Sequence, residues 1–109
     1  MAKYLVQVGY TAEAIDGMVK NPEDRTPVVR AAIESLGGKL ECLYWALSDY
    51  DGIGIADVPN NVTAAAMSMA VSRTGMYRSY RTTALLTADE MVEAMRAAGK
   101  VTGFRPPGG

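Results

Sequence analysis

The sequence predicts an α+β fold of the ferredoxin-like kind, with a four-stranded antiparallel sheet and helices on one face. Three observations support this prediction. A hairpin pattern occupies Gly38–Val58, an amphipathic helix pattern precedes it, and strand-like alternation begins and ends the predicted β-α-β-β-α-β order. Because such crossovers are right-handed, both main helices should cover the same face of the sheet.

The residues before the hairpin predict one strand and two helices. Lys3–Tyr10 alternates apolar and polar positions, and Thr11 can cap a short helix that runs to about Val19. After a polar segment, Thr26 is expected as the N-cap of the next helix, with Pro27 at its first position. The pair Gly37-Gly38 should end that helix.

The hairpin pattern joins the runs 39–46 and 53–58 through Ser48-Asp49-Tyr50-Asp51-Gly52. Strict alternation places Leu43 and Trp45 in one row with Leu5 and Gln7, facing away from Leu40. Gly52 is expected in the left-handed region, closing a type I turn, because glycine tolerates positive φ. Tyr50 should then lie at the tip between two carboxylates.

The residues after the hairpin predict a helix, a polar strand and a last helix. Asn60 or Asn61 should cap the first of these, and residues 76–86 form the strand, in which Arg78 and Arg81 should point to opposite faces. Thr87 and Glu90 have the spacing of a capping box. We expect one domain over residues 1–99 and a flexible C-terminal tail over residues 100–109.

Composition excludes several classes of function. The 109 residues contain no His and one Cys, so an intrachain disulfide, a Cys/His zinc site and His-based acid–base catalysis are excluded. A net charge of −1 argues against nucleic-acid binding, and no 18-residue apolar run predicts a membrane span. No nucleotide-binding glycine motif occurs. Taken together, these observations lead us to expect no cofactor, no metal and a cytoplasmic protein.

The predicted sheet leaves an apolar row on the face away from the main helices. Leu5, Leu43 and Trp45 are its members by strict alternation. A large apolar patch is uncommon on a monomer, so either the last helix or a second copy of the chain should cover it. By analogy with dimeric α/β barrels, which pair sheet against sheet, we expect a homodimer or a dimer-based oligomer.

Several stretches of the chain resemble the GYD-domain family of small bacterial proteins. They are Ser35–Glu41, Asp49–Asp51, Asp57–Pro59, Asn61–Ala64, Arg81–Thr83 and Leu85–Thr87. Ser48 stands where the family's name implies Gly, whereas Tyr50 and its flanking acids are retained. The resemblance covers most of residues 3–95. It implies a ferredoxin-like, dimeric α/β-barrel type of fold in a cytosolic bacterial protein of unassigned function, and it carries over no catalytic residues.

Two functions fit these observations. The first is a site that binds or converts a small polar or anionic molecule in a cavity between sheet and helices. Its candidate ligand-binding residues are Tyr10, Tyr44, Asp49, Tyr50, Asp51 and Arg81. The second is a non-catalytic oligomerisation or regulatory module. The two carboxylates at the hairpin tip have a structural interpretation as well, in which they accept N–H groups of the turn.

Overall fold

The computed structural model describes all 109 residues and contains four strands and four helices. In chain order they are β1 (Ala2–Tyr10), α1 (Ala12–Lys20), α2 (Thr26–Ser35), β2 (Lys39–Trp45), β3 (Gly52–Val58), α3 (Asn61–Ser72), β4 (Tyr77–Leu85) and α4 (Ala88–Ala98). The sheet has the order β2-β3-β1-β4, and every neighbouring pair is antiparallel. The predicted α+β fold and its ferredoxin-like strand order are therefore confirmed.

Side-chain caps begin three of the four helices. The hydroxyl of Thr11 accepts the Ala14 N–H, Asn60 accepts the Thr63 N–H, and Thr87 forms a complete capping box with Glu90. The prediction of Thr26 as an N-cap was wrong, because Thr26 already lies inside α2. Its N–H donates to the Asp24 carboxylate at 2.9 Å, and this bond lowers the pKa of Asp24.

The hairpin loop reaches from Ala46 to Asp51 and contains no residue with positive φ. The expected left-handed Gly52 was wrong, because Gly52 is the first residue of β3 and lies extended within the sheet. Six residues span the gap between the strands without a tight turn. The Ala46 N–H donates to the Asp51 carbonyl at 2.8 Å and closes the loop.

Each edge strand contains one extra residue that breaks its alternation. In β2, Leu40 pairs with Ala56 and Cys42 pairs with Ile55, so Glu41 is the extra residue. In β4, the pairing passes from Ser79 to Tyr77 and leaves out Arg78. Such bulges are frequent at sheet edges and shift every later side chain to the other face.

Because of these bulges, the predicted rows of side chains were wrong in both edge strands. Leu43 and Trp45 lie on the inner face, which we define as the face covered by α2 and α3, and not beside Leu5 on the outer face. Tyr77 joins Tyr80 on the inner face for the same reason. Arg78 lies over Gly9 on the outer face together with Arg81, so the expected opposite orientation of these two arginines was wrong.

The buried core is small and lies toward the Lys3 end of the sheet. It consists of Tyr4, Ile33, Leu40, Ala56 and Val58. Helix α2 packs on β2, and α3 packs on β4 and β3, but the two helices do not pack extensively against each other. The inner face between them is therefore left open near the Tyr10 end.

Helix α4 extends away from the rest of the molecule. Every residue from Leu86 to the C-terminus is exposed, and residues 100–109 form no helix or strand. The radius of gyration is 17.8 Å, whereas a compact chain of this length has about 13 Å. Helix α4 thus covers neither face of its own sheet. No helix has the length and apolar character that crossing a membrane requires.

Candidate functional site

An apolar cavity of about 400 Å³ lies between the inner face of the sheet and helices α2 and α3. Most of its lining is hydrophobic, with Val28, Val29 and Ala32 on α2 and Ala64, Met67 and Val71 on α3. Its volume falls within the range of about 300–1,000 Å³ that is common for small-molecule sites. The mouth of the cavity, defined by Arg25, Val28 and Trp45, lies at the Tyr10 end of the sheet.

The floor of the cavity is formed by β1 and β3, and in β3 the lining residues Gly52, Gly54 and Ala56 are all small. Gly52 lies between Trp45 and Val8 in the register of the sheet, and Gly54 lies between Leu43 and Val6. Since Gly52 carries no side chain, the rings of Tyr10 and Trp45 approach across it, with centroids 5.6 Å apart. The small floor residues therefore create the depth of the cavity.

Four aromatic side chains line the Tyr10 end of the cavity: Tyr10, Trp45, Tyr77 and Tyr80. The Tyr77 ring lies 4.8 Å from Tyr10 and 6.4 Å from Tyr80, between ring centroids. Burial, followed by the neighbouring Tyr77, raises the pKa of both Tyr10 and Tyr80 to about 12. Both hydroxyls therefore keep their protons at neutral pH and can donate hydrogen bonds to a ligand.

Arg25 is the cationic group at the mouth of this apolar cavity. Its guanidinium lies 3.5 Å from the Glu23 carboxylate and is two-thirds covered. Its charge lowers the pKa of Tyr10, against the larger opposing effects of burial and Tyr77. An acidic group at the mouth would meet a guanidinium, while the rest of the molecule would contact apolar side chains.

Asp51 fastens the hairpin loop to the end of β1. Its carboxylate accepts the Tyr10 N–H at 2.9 Å, and its own N–H donates to the Val8 carbonyl at 2.8 Å. The Arg78 guanidinium lies 3.5 Å from the same carboxylate and donates to the Asp49 carbonyl at 3.0 Å. These contacts hold the loop beside the cavity and leave the Asp49 side chain exposed.

The structure divides the six predicted site residues between the two faces of the sheet. Tyr10 lines the cavity, and Tyr44 borders it from the edge strand with 69% of its surface exposed. Arg81 lies on the outer face, where its guanidinium stacks over the Tyr50 ring at 5.7 Å. The ligand-binding roles of these residues stay predictions, but Tyr50 and Arg81 do not face the cavity that Tyr10 lines.

Sequence reasoning missed the cavity residues Arg25, Trp45, Tyr77 and Tyr80. The alternation Gly52-x-Gly54-x-Ala56 was a usable signal, because three small residues on one face of a strand indicate open space above it. The inward positions of Trp45 and Tyr77 had no such signal, since both depend on bulges. No group of three or more His, Cys, Asp or Glu side chains is placed to hold a metal ion.

We predict that Asp51→Ala lowers the free energy of unfolding by about 1–2 kcal/mol, because the Tyr10 N–H loses a charged acceptor. Asp49→Ala is the matched control, since the Asp49 side chain is exposed and only its carbonyl accepts from Arg78. Its effect should stay within about 0.5 kcal/mol. Urea denaturation of both variants measures the difference, and equal stabilities would contradict the role of Asp51.

We predict that two of the six tyrosines ionise late, near pH 12. The unfolded chain releases these protons near pH 10, so stability should fall as the pH rises from about 10 to 12. An alkaline titration followed by tyrosinate absorbance measures the late step, and Tyr10→Phe should remove part of it. Ionisation of all the tyrosines in one step near pH 10 would contradict the burial of Tyr10 and Tyr80.

Residues 4–95 match the family model of the GYD domain, which confirms the resemblance inferred from the sequence. Searches against curated proteins and against solved structures found no match. Because the matched region covers most of the chain, from β1 into α4, this chain belongs to the GYD domain family.

Proposed function

We propose that the chain binds a small amphipathic molecule in the cavity between the sheet and helices α2 and α3. The ligand has an aromatic or branched apolar body and one acidic or carbonyl group. The observation that carries this proposal is the combination of an open, mostly apolar cavity with Arg25, Tyr10 and Tyr77 at one end of it. No catalytic residue is assigned, and binding is the function proposed.

The apolar lining of the cavity favours a ligand with an apolar body. The cavity walls are formed by aliphatic side chains of α2 and α3, and its floor includes two glycines and an alanine of β3 and two valines of β1. Contacts with such walls and release of water favour an apolar group over a highly hydrated one. A molecule with several charges would leave most of them unpaired in this cavity, at a large cost in free energy.

The residues at the mouth favour a ligand with a single polar group. Arg25, Tyr10 and Tyr77 lie at the same end of the cavity, so one carboxylate or carbonyl can meet a guanidinium and phenolic hydroxyls together. Charge-assisted hydrogen bonds of this kind fix the orientation of a ligand. This arrangement keeps the predicted preference for an anionic molecule but replaces Arg81 by Arg25 as its cationic partner.

Naphthalene-2-carboxylate is a suitable probe, because it has one apolar body and one carboxylate. We predict that it binds and changes the fluorescence of Trp45, the only tryptophan of the chain. Ala32→Phe should weaken binding at least about tenfold, which corresponds to about 1.4 kcal/mol, because Ala32 lines the cavity. Arg25→Gln should weaken binding of naphthalene-2-carboxylate more than it weakens binding of the uncharged naphthalene-2-carboxamide.

Ala31→Phe is the matched control for the cavity. Ala31 is the preceding residue of α2, is exposed and does not line the cavity, so its replacement should leave the dissociation constant unchanged. Equal binding by the Ala31→Phe and Ala32→Phe variants would place the probe elsewhere. Absence of any fluorescence change with probes of this class would contradict the proposed function.

A second candidate function, homo-oligomerisation, is favoured by the outer face of the sheet. No helix covers this face, and Leu5, Ile53 and Ile55 form an apolar strip across its two central strands. The Lys3 ammonium beside this strip lies 2.7 Å from the Glu41 carboxylate and 3.2 Å from Asp57. We infer that two copies pair sheet against sheet across this strip, as in dimeric α/β barrels.

We predict that Ile55→Lys converts a sheet-paired dimer into a monomer, because it places a charge in the middle of the apolar strip. Sedimentation velocity measures the change. Ala31→Lys on the opposite side of the molecule is the control and should leave the dimer intact. An unchanged dimer dissociation constant in the folded Ile55→Lys variant would exclude this interface.

A further inference from the structure

Helix α4 is an amphipathic helix without a packing surface in its own chain. Met91, Val92 and Met95 lie on one side of it, and Met95 is 64% exposed. An isolated helix of eleven residues is only marginally stable in water, even with a good cap. The apolar side of α4 therefore requires a partner surface.

The mouth of the cavity is the second unsatisfied apolar surface. Trp45 is 61% exposed, Leu47 is fully exposed, and Val28 on α2 is half exposed. Trp45 and Val28 line a concave opening, and Leu47 follows Trp45 in the adjoining loop. A concave opening accepts the rounded surface of a helix better than it accepts a flat sheet. The strip on the outer face is different, since Leu5, Ile53 and Ile55 are only partly exposed and lie on a sheet surface that suits a second sheet.

The two surfaces lie at opposite ends and opposite edges of one molecule. Helix α4 follows Leu85, which pairs with Lys3 in the edge strand β4, whereas Trp45 ends the other edge strand β2. Three strand spacings separate the edges by about 14 Å, and Trp45 lies about 17 Å further along the strands. Helix α3 packs on β4, and α4 of the same chain extends away from the sheet, so it leaves its own mouth uncovered.

We propose that α4 of a second copy packs its Met91, Val92 and Met95 side over the mouth of the cavity and closes it. The closed site then contains residues of both copies: Arg25, Trp45 and Leu47 from one, and the methionines of α4 from the other. This inference rests on the proposed function of the cavity and adds that the site is complete only in the dimer. Methionine side chains are flexible, so they can adapt to ligands of different shape.

The area available is sufficient for a stable pair. One contact between α4 and the mouth brings together an exposed Trp, Leu and Val with two Met and one Val. A two-fold dimer makes this contact twice, and with an aromatic side chain burying about 150–250 Å² the total is on the order of 1,000 Å², near the lower limit of specific interfaces. The exposed Phe104 and Val101 that follow α4 can extend it.

The first experiment compares Met95→Lys with Ala97→Lys, which adds the same charge on the opposite side of α4. We expect the native chain and Ala97→Lys to sediment as dimers with blue-shifted Trp45 emission. Met95→Lys should show red-shifted Trp45 emission and at least about tenfold weaker binding of naphthalene-2-carboxylate, even where the outer faces still pair the two copies. A native chain that is monomeric at micromolar concentration, or a Met95→Lys variant that is dimeric with unchanged emission, would overturn the inference.

A second experiment covers the case in which Met95→Lys disturbs α4 itself. In a Cys42→Ser background, the pair Leu47→Cys and Met95→Cys should form a disulfide-linked dimer under mild oxidation, whereas Leu47→Cys with Ala97→Cys should not. Equal cross-linking of the two pairs, or none in the first, would show that α4 docks elsewhere. A monomer that binds the probe refutes only this inference, and a cross-linked dimer that binds no probe refutes only the proposed function.

Discussion

The absence of side chains at Gly52 and Gly54 is the constraint on which the rest of the structure depends. Both residues face the helices from a central strand, so no side chain of their own projects into the space above the middle of the sheet. Helices α2 and α3 are anchored near opposite edges and leave this space open. The core therefore occupies one end of the sheet, and the aromatic cluster around Tyr10 surrounds a cavity at the other end.

The extra residues in the edge strands determine what surrounds that cavity. Without the bulge at Glu41, Leu43 and Trp45 would lie on the outer face. Without the bulge at Arg78, Tyr77 would lie on the outer face, away from Tyr80. Both bulge residues are charged and remain at the surface, where Glu41 meets Lys3 and Arg78 meets Asp51. Each bulge thus turns an aromatic residue inward while its own charge stays paired and solvated.

Most of the fold could be predicted from the sequence, because its elements follow local rules. The caps at Thr11 and Thr87, the glycine stop of α2 and the strand order all agree with those rules. The site could be predicted only in part. Tyr10 was found from its position at a strand end, whereas the faces of Trp45, Tyr77 and Arg78 depend on bulges. A period of two gives no sign of where an extra residue enters, since that depends on pairing with distant strands.

The central claim is that the space above Gly52 and Gly54 receives a small amphipathic molecule, and a crystal structure of the chain with naphthalene-2-carboxylate tests it most directly. The account predicts the ring system between α2, α3 and the glycine floor, with the carboxylate within hydrogen-bonding distance of Arg25. A structure in which α2 and α3 have closed over the floor, or in which the probe occupies only the outer face beside Arg81, would contradict it.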